Sequence, residues 1–297
     1  MNEKPAKITH GYWLVAFIDL LGQKDAFLKA DSLPEDNNPA KMEAFIEAVK
    51  ASIGVVHTMR NLLDAFRTSL ATITVDESSA LYGLSTEEIA AAEAMKARRV
   101  REHRWSDGVL LACPLKPEPG HSPIMGVYDI LCTCGALMLV QLAMGRPIRG
   151  GLDVGVGTEV DGELFGAALV KAYENESKRA QYPRIVVGKE LVQYLEVKSQ
   201  DPATDLKGQF ERGVARGVNN LLLENFDGDG EWILDYAGPA MRELMLNVET
   251  SLLLAQARAF AHKCRMEFQA RGKDGRLLFE RYSRVVRYLD ARASVVA

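Results

Sequence analysis

The 297-residue chain is predicted to be an α+β protein, with a β-α-β-β-α-β core, additional strands and a helical C-terminal extension. Three observations carry that prediction. Residues 12–21, YWLVAFIDLL, form an apolar, aromatic and β-branched run of strand length, suited to burial on both faces. Residues 38–70 switch to a helical period, with Phe45, Val49, Ile53, Val56 and Leu63 spaced by three, four or seven. Residues 100–114, VREHRWSDGVLLACP, set two strand-like runs around Ser-Asp-Gly, which is a hairpin signal.

The other elements follow in chain order. Residues 75–101 are more polar and read as an insertion with one short amphipathic helix, begun by Ser-Thr-Glu-Glu at 85–88. Three prolines make 115–122 a loop. Residues 124–145 read as a buried helix that Gly145 ends. IRGGLDVGV at 148–156 is a strand whose glycines permit close approach of other backbone. Residues 166–180 are read as helix and 184–187 as a short strand. Residues 221–236, LLLENFDGDGEWILDY, make a second hairpin around Asp-Gly-Asp-Gly. Residues 241–271 and 277–292 are two long amphipathic stretches. This order is ferredoxin-like. It divides the chain into a domain at 1–237 and a helical extension at 238–297.

Bulk properties narrow the function. Apolar residues make up 47% and charged residues 26%, so the chain can bury a core and stay dissolved. A net charge of −4 argues against a nucleic-acid surface, because phosphate backbones need a positive field. Cys113, Cys132, Cys134 and Cys264 have neither CxxC pairing nor nearby histidines at zinc spacing, so reduced thiols are expected. The N-terminal MNEKPAKITHGYW has no signal-peptide core, and the longest apolar run, 130–144, is interrupted by Thr133 and Gln141. A cytoplasmic protein without a membrane partner is expected.

Two acids stand out. Asp19 ends a buried strand, where a charge is costly unless something pairs with it, and Asp107 sits at a hairpin tip. In a β-α-β-β core that strand and that hairpin are neighbours, so the carboxylates can converge. Converging carboxylates repel unless a proton or a cation bridges them, and hard oxygen ligands suit Mg²⁺ or Mn²⁺. Read singly, Asp107 is a turn residue and Asp19 a strand-end cap.

The segments FIDLLG at 17–22 and WSDG at 105–108 resemble the two metal motifs of class III nucleotide cyclases. IRGGLDVGVG at 148–157 and GAALVKAYENESKRAQYPRIVVG at 166–188 resemble the strand, helix and strand that follow in that family. Tyr-Pro-Arg-Ile and the Asp-Gly-Asp-Gly hairpin are closer still to the Pycsar pyrimidine cyclases, bacterial antiphage enzymes that make cyclic UMP or cyclic CMP. The resemblance covers roughly residues 12–237. It implies two divalent ions, Mn²⁺ or Mg²⁺, held by Asp19, Asp107 and the Leu20 carbonyl. It implies phosphate contacts from the amides of Leu21, Gly22 and Gln23. It also implies a head-to-tail homodimer with interface active sites, and a product read by a separate cyclic-nucleotide-responsive effector.

The departures from that family bear on substrate. The base-reading Lys of adenylate cyclases is Arg101 here, and their purine-contacting Asp is Glu163. Their transition-state Asn and Arg correspond to Val170 and Glu174. A substitute cation is therefore expected. Lys171 is the first candidate; with Asn175 and Lys178 it would share one helical face, which otherwise is a solvated surface. Arg149 and Arg184 are strand-end cations within reach of phosphate, or else structural pairs. Arg212 and Arg216 are weaker candidates for reaching across a dimer. His103 lies four residues before Asp107 and could approach a base, although a hairpin pair is the plainer role. Lys96 and Arg99 belong to a basic run of the kind that is usually solvated. UTP is the favoured substrate. CTP, an atypical purine cyclase and a nucleotide sensor without turnover stay open beside it.

Overall fold

The computed structural model describes residues 8–23, 28, 33–34, 38–72, 99–117, 122–245 and 248–294. Strand β1, Ile8–Leu20, is longer than the apolar run because its N-terminal half continues as a ladder with the far end of β4, Ile148–Val160. Helix α1, Pro39–Thr72, leads to the hairpin of β2, Arg101–Trp105, and β3, Gly108–Pro114. Helix α2, Pro123–Ala143, then returns the chain to β4. These strands lie in the order β2-β3-β1-β4, all neighbours antiparallel, which is the ferredoxin-like arrangement expected from the sequence. Most of the proposed insertion falls at 73–98, outside the described residues, as do Lys96 and His121.

Beyond β4 the sheet grows by β6, Ile185–Val187, parallel to β4, and by the hairpin of β8, Trp232–Leu234, with β7, Leu222–Glu224. A further strand, β5, Glu163–Gly166, folds back on β4 through Asp161 and Gly162. Both turn residues have positive φ, 51° and 92°, the geometry that an Asp-Gly hairpin requires. That strand is unassigned from sequence, although Asp161-Gly162 is a hairpin signal. The helix expected over 166–180 is instead α3, Ala167–Glu174, continued by a π-helical segment, Asn175–Ala180. Two helices unassigned from sequence, α4, Lys189–Ser199, and α5, Leu206–Asn219, fill the stretch before β7.

Alternation along β1 separates two cores. Leu14, Ala16, Ile18 and Leu20 face α1 and α2, while Trp13 and Val15 face α3 through Ala168 and Ala172. Helix α2 has the length and composition of a membrane span, more than its interrupted apolar run suggests, yet 89% of its most apolar window is buried inside the fold. All four cysteines are buried, and none forms a disulfide among the described residues. The C-terminal stretch expected as one helix over 241–271 is broken into α6, Pro239–Leu244, and α7, Thr250–Ala270. Met245 leaves the helical region at ψ 49°, which stops α6. With α8, Arg276–Ala293, these helices place Leu254, Ala261, Tyr282 and Leu289 in the same core as α2.

Candidate active site

Asp19 and Asp107 lie at the same end of the sheet. In the ladders Asp19 stands opposite Gly108 on β3 and Arg149 on β4. The Leu20 N–H donates to the Asp107 carbonyl at 3.4 Å, so the β2–β3 turn is stitched to the end of β1. That turn needs its own residues. Ser106 takes a positive φ of 40°, and its carbonyl accepts from the Arg60 guanidinium of α1 at 2.8 Å. A Cβ at Gly108 would lie 2.8 Å from the Trp105 ring, so only glycine lets Trp105 fold over the turn.

Asp19 lies on the same strand face as Trp13, Val15 and Phe17 and is held near α3 and the π-helical segment. Its carboxyl is pushed up to about 7, first by burial, then by the charges of Asp107 and Glu176, against the opposing pull of Arg149. A half-buried acid facing two other acids is a group that a cation would stabilise. Among the described residues no cluster of three or more His, Cys, Asp and Glu side chains is built as a metal cage. Two hard carboxylates fit a divalent ion that completes its shell with substrate phosphates and water.

The other sequence candidates are scattered differently. The Leu21 N–H, expected on phosphate, donates to the Pro147 carbonyl at 2.9 Å and is already used. Gly22 turns with φ 87°, and Gln23 is buried with an Oε1 that has no partner among the described residues. Arg149 is bonded through Nε to Glu176, with its nearest guanidinium nitrogen 3.9 Å from Asp19. Arg101 bonds Glu159 at 2.9 Å. Lys171 sits by Val154, five ladder positions along β4 from Arg149 and on the order of 16 Å away. It pairs with Glu190 at 2.6 Å. Lys171, Asn175 and Lys178 do not make one solvated face, because i→i+5 winding begins at Asn175 and turns its side chain inward onto the Leu152 carbonyl.

Arg184 and the dimer-reaching arginines have structural partners. Arg184 is buried, bonds Asp229 at 2.7 Å and the Ala180 and Arg179 carbonyls, and locks the Asp-Gly-Asp-Gly turn. Arg212 and Arg216 donate to backbone carbonyls at Asp201, Ala203 and Ser199. Sequence reasoning passed over Glu176, whose only signal was an acid inside a segment read as ordinary helix. It also passed over the aromatic group beside the acids. Phe17 packs on Trp105 and Tyr173 at centroid distances of 4.6 and 5.3 Å. These rings, with His103, Glu163 and Val170, line an open cavity of about 520 Å³.

Comparisons with known proteins add a likeness and no more. No protein-family model matches the chain. No curated protein matches it either. Among solved structures, the chain is similar to the crystal structure of the adenylyl cyclase CyaB from P. aeruginosa, at 12% identity and a TM-score of 0.38. The match covers 64% of this chain and 83% of that one.

Proposed function

We propose that the protein is a divalent-metal-dependent nucleotide cyclase that converts UTP to 3′,5′-cyclic UMP and diphosphate. The observation that carries this reading is the meeting of Asp19 and Asp107 at one sheet end, with a third acid close by and Asp19 pushed up to about 7. In such a reaction the ribose 3′-oxygen attacks the α-phosphorus, the bond to the β-phosphate oxygen breaks, and the hydroxyl proton leaves to solvent. Positioning and charge neutralisation supply most of the acceleration. Mn²⁺ or Mg²⁺, two ions in the full site, supplies the positive charge that the triphosphate and the attacking oxygen need.

The chain's own residues divide the work. Asp19, Asp107 and the Leu20 carbonyl would hold the ions. The backbone N–H groups at Gly22 and Gln23 would donate to phosphate oxygens. Phe17 and Trp105 stand two residues before Asp19 and Asp107, and Tyr173 packs on Phe17, so a flat base stacked there would keep its triphosphate at the acids. Glu163, which lines that cavity, corresponds to the purine-contacting Asp of adenylate cyclases, and its change favours a pyrimidine. Arg101 would stand near the base. Lys171 would serve the site of a second copy in a head-to-tail homodimer, since it lies far from Asp19 in its own chain. The product would act on a separate effector in cytoplasmic antiphage defence.

One observation favours a second reading, a nucleotide sensor without turnover. Arg149 is held by Glu176 and Lys171 by Glu190, so both candidate cations already have partners. The test is incubation of the pure protein with ATP, GTP, CTP and UTP plus Mn²⁺, with cyclic products identified by mass. Cyclic UMP is expected. Cyclic CMP moves the base assignment alone, cyclic AMP or GMP removes the pyrimidine reading, and a UTP-dependent rise in melting temperature without product establishes the sensor.

A further inference from the structure

The ladder puts Arg149 directly across from Asp19, where an ion pair between antiparallel neighbours would ordinarily close. It closes only loosely: the guanidinium is drawn aside by Glu176, bonded at Nε, and its nearest nitrogen stays 3.9 Å from Asp19, an ion pair without a hydrogen bond. Glu176 is itself buried, 2% exposed, so it has no alternative partner in water. Its position is built in. Asn175 Nδ2 donates to the Leu152 carbonyl at 3.0 Å, and Arg179 donates to Asn175 Oδ1 at 2.6 Å. A Cβ at Gly151 would lie 2.3 Å from the Ala172 carbonyl and 2.4 Å from the Glu176 nitrogen, so Gly151 lets the π-helical backbone lie against β4. The winding of 175–180 then turns Glu176 toward Arg149 instead of along the outer face.

We propose that Glu176 is a positioning residue of the metal site: it restrains the Arg149 guanidinium so that Arg149 neutralises Asp19 at a distance and leaves the Asp19 oxygens free for a divalent ion. Without Glu176, Arg149 would swing onto Asp19 and compete with the metal for the same carboxylate. Arg149 is thus the chain's own rival to its cofactor, and Glu176 holds the rival back. This inference rests on the reading of Asp19 and Asp107 as metal ligands, and not on turnover or on the identity of the base.

The experiment is titration of Mn²⁺ alone into the protein without nucleotide, with free Mn²⁺ read by electron paramagnetic resonance. E176Q is expected to raise the apparent Kd about tenfold, because the released guanidinium occupies Asp19. E176Q/R149M, which removes both charges and leaves no orphan in the interior, is expected to bind Mn²⁺ at least as tightly as the wild type. A purely structural pair would lower the melting temperature of E176Q and leave the Kd alone, and that result overturns the proposal. So does a double variant as weak as E176Q, which would mean that Glu176 acts on the ion directly. Should E176Q fail to fold, the double variant decides by itself: wild-type affinity or better supports the proposal, and weaker binding overturns it. Failure of the wild type to bind Mn²⁺ would instead strike the metal-site reading beneath it. Mn²⁺ binding as expected with no cyclic nucleotide formed would strike the cyclase reading alone.

Discussion

Two strand acids, half-buried Asp19 on β1 and buried Asp153 on β4, solve the same problem in opposite ways. Both carboxyls are raised by burial, Asp19 to about 7 and Asp153 to about 6. Asp153 is answered by the backbone. Its Oδ1 accepts the Val154 N–H at 2.8 Å and the Leu191 N–H at 3.2 Å, the second of which ties β4 to the first turn of α4. Its acidic neighbour Glu190 is pulled below the usual carboxylate range, chiefly by the hydrogen bond from Lys171. Asp19 has an arginine held off by another acid, and a second acid across the turn. The first arrangement is complete as it stands, whereas the second leaves acidic oxygens that a cation would stabilise.

The widest expected separation between the two is in turnover. D19N and D107N should each cost more than the roughly hundredfold that loss of an outer-shell partner costs a metal site, with the fold intact by circular dichroism. Near-normal cyclic nucleotide production by either variant would erase the distinction between the two acids. The next effect lies on the other side. D153A leaves the Val154 and Leu191 N–H groups buried without an acceptor and should lower unfolding free energy by about 2 kcal/mol in denaturant melts. D153N keeps an acceptor oxygen there and should lose much less.

Lys171 tests where the boundary between the two regions runs. If it serves a partner's site, K171A should lower kcat about tenfold, equivalent to about 1.4 kcal/mol, with little change in KM. A change in melting temperature alone would assign Lys171 to the structural cluster of Asp153 and Glu190. The smallest effect is in pH dependence without metal. Asp19 ionises near 3.8 when unfolded and near 7 in the fold, so the folded state holds the extra proton between those values. Stability is therefore lost as pH rises from about 4 to 7. D19N, which cannot ionise, should be more stable than the wild type at pH 7.5 by about 1 kcal/mol, and the gain should vanish near pH 4. A variant less stable at both ends would show that Asp19 is a structural acid like Asp153.

Sequence patterns exposed the frame of the site better than its tuning. The run around Asp19 and the Ser-Asp-Gly turn at Asp107 were legible because strand composition and turn chemistry are local. The sheet order then follows from short connections and a split βαβ pattern. Strand β5 was missed although Asp161-Gly162 carries the same kind of hairpin signal as Asp107-Gly108. Helix α5 was missed because Gly208, Gly213 and Gly217 dilute its helical composition. Glu176 was invisible for a deeper reason. A period of 3.6 residues assigns side chains to faces, and the change to i→i+5 winding at Asn175 reassigns them. Arg149 reads from sequence as either a phosphate cation or a structural pair, because nothing local shows that an acid 27 positions later draws it aside.

Mn²⁺ titration of the wild type beside D19N, D107N and D153N, followed by the resonance of free Mn²⁺, bears most directly on the convergence of Asp19 and Asp107. The expected result is saturable binding by the wild type and D153N, and loss of that binding in both D19N and D107N. Binding that survives unchanged in either of the last two would contradict the shared metal site and the chemistry built on it.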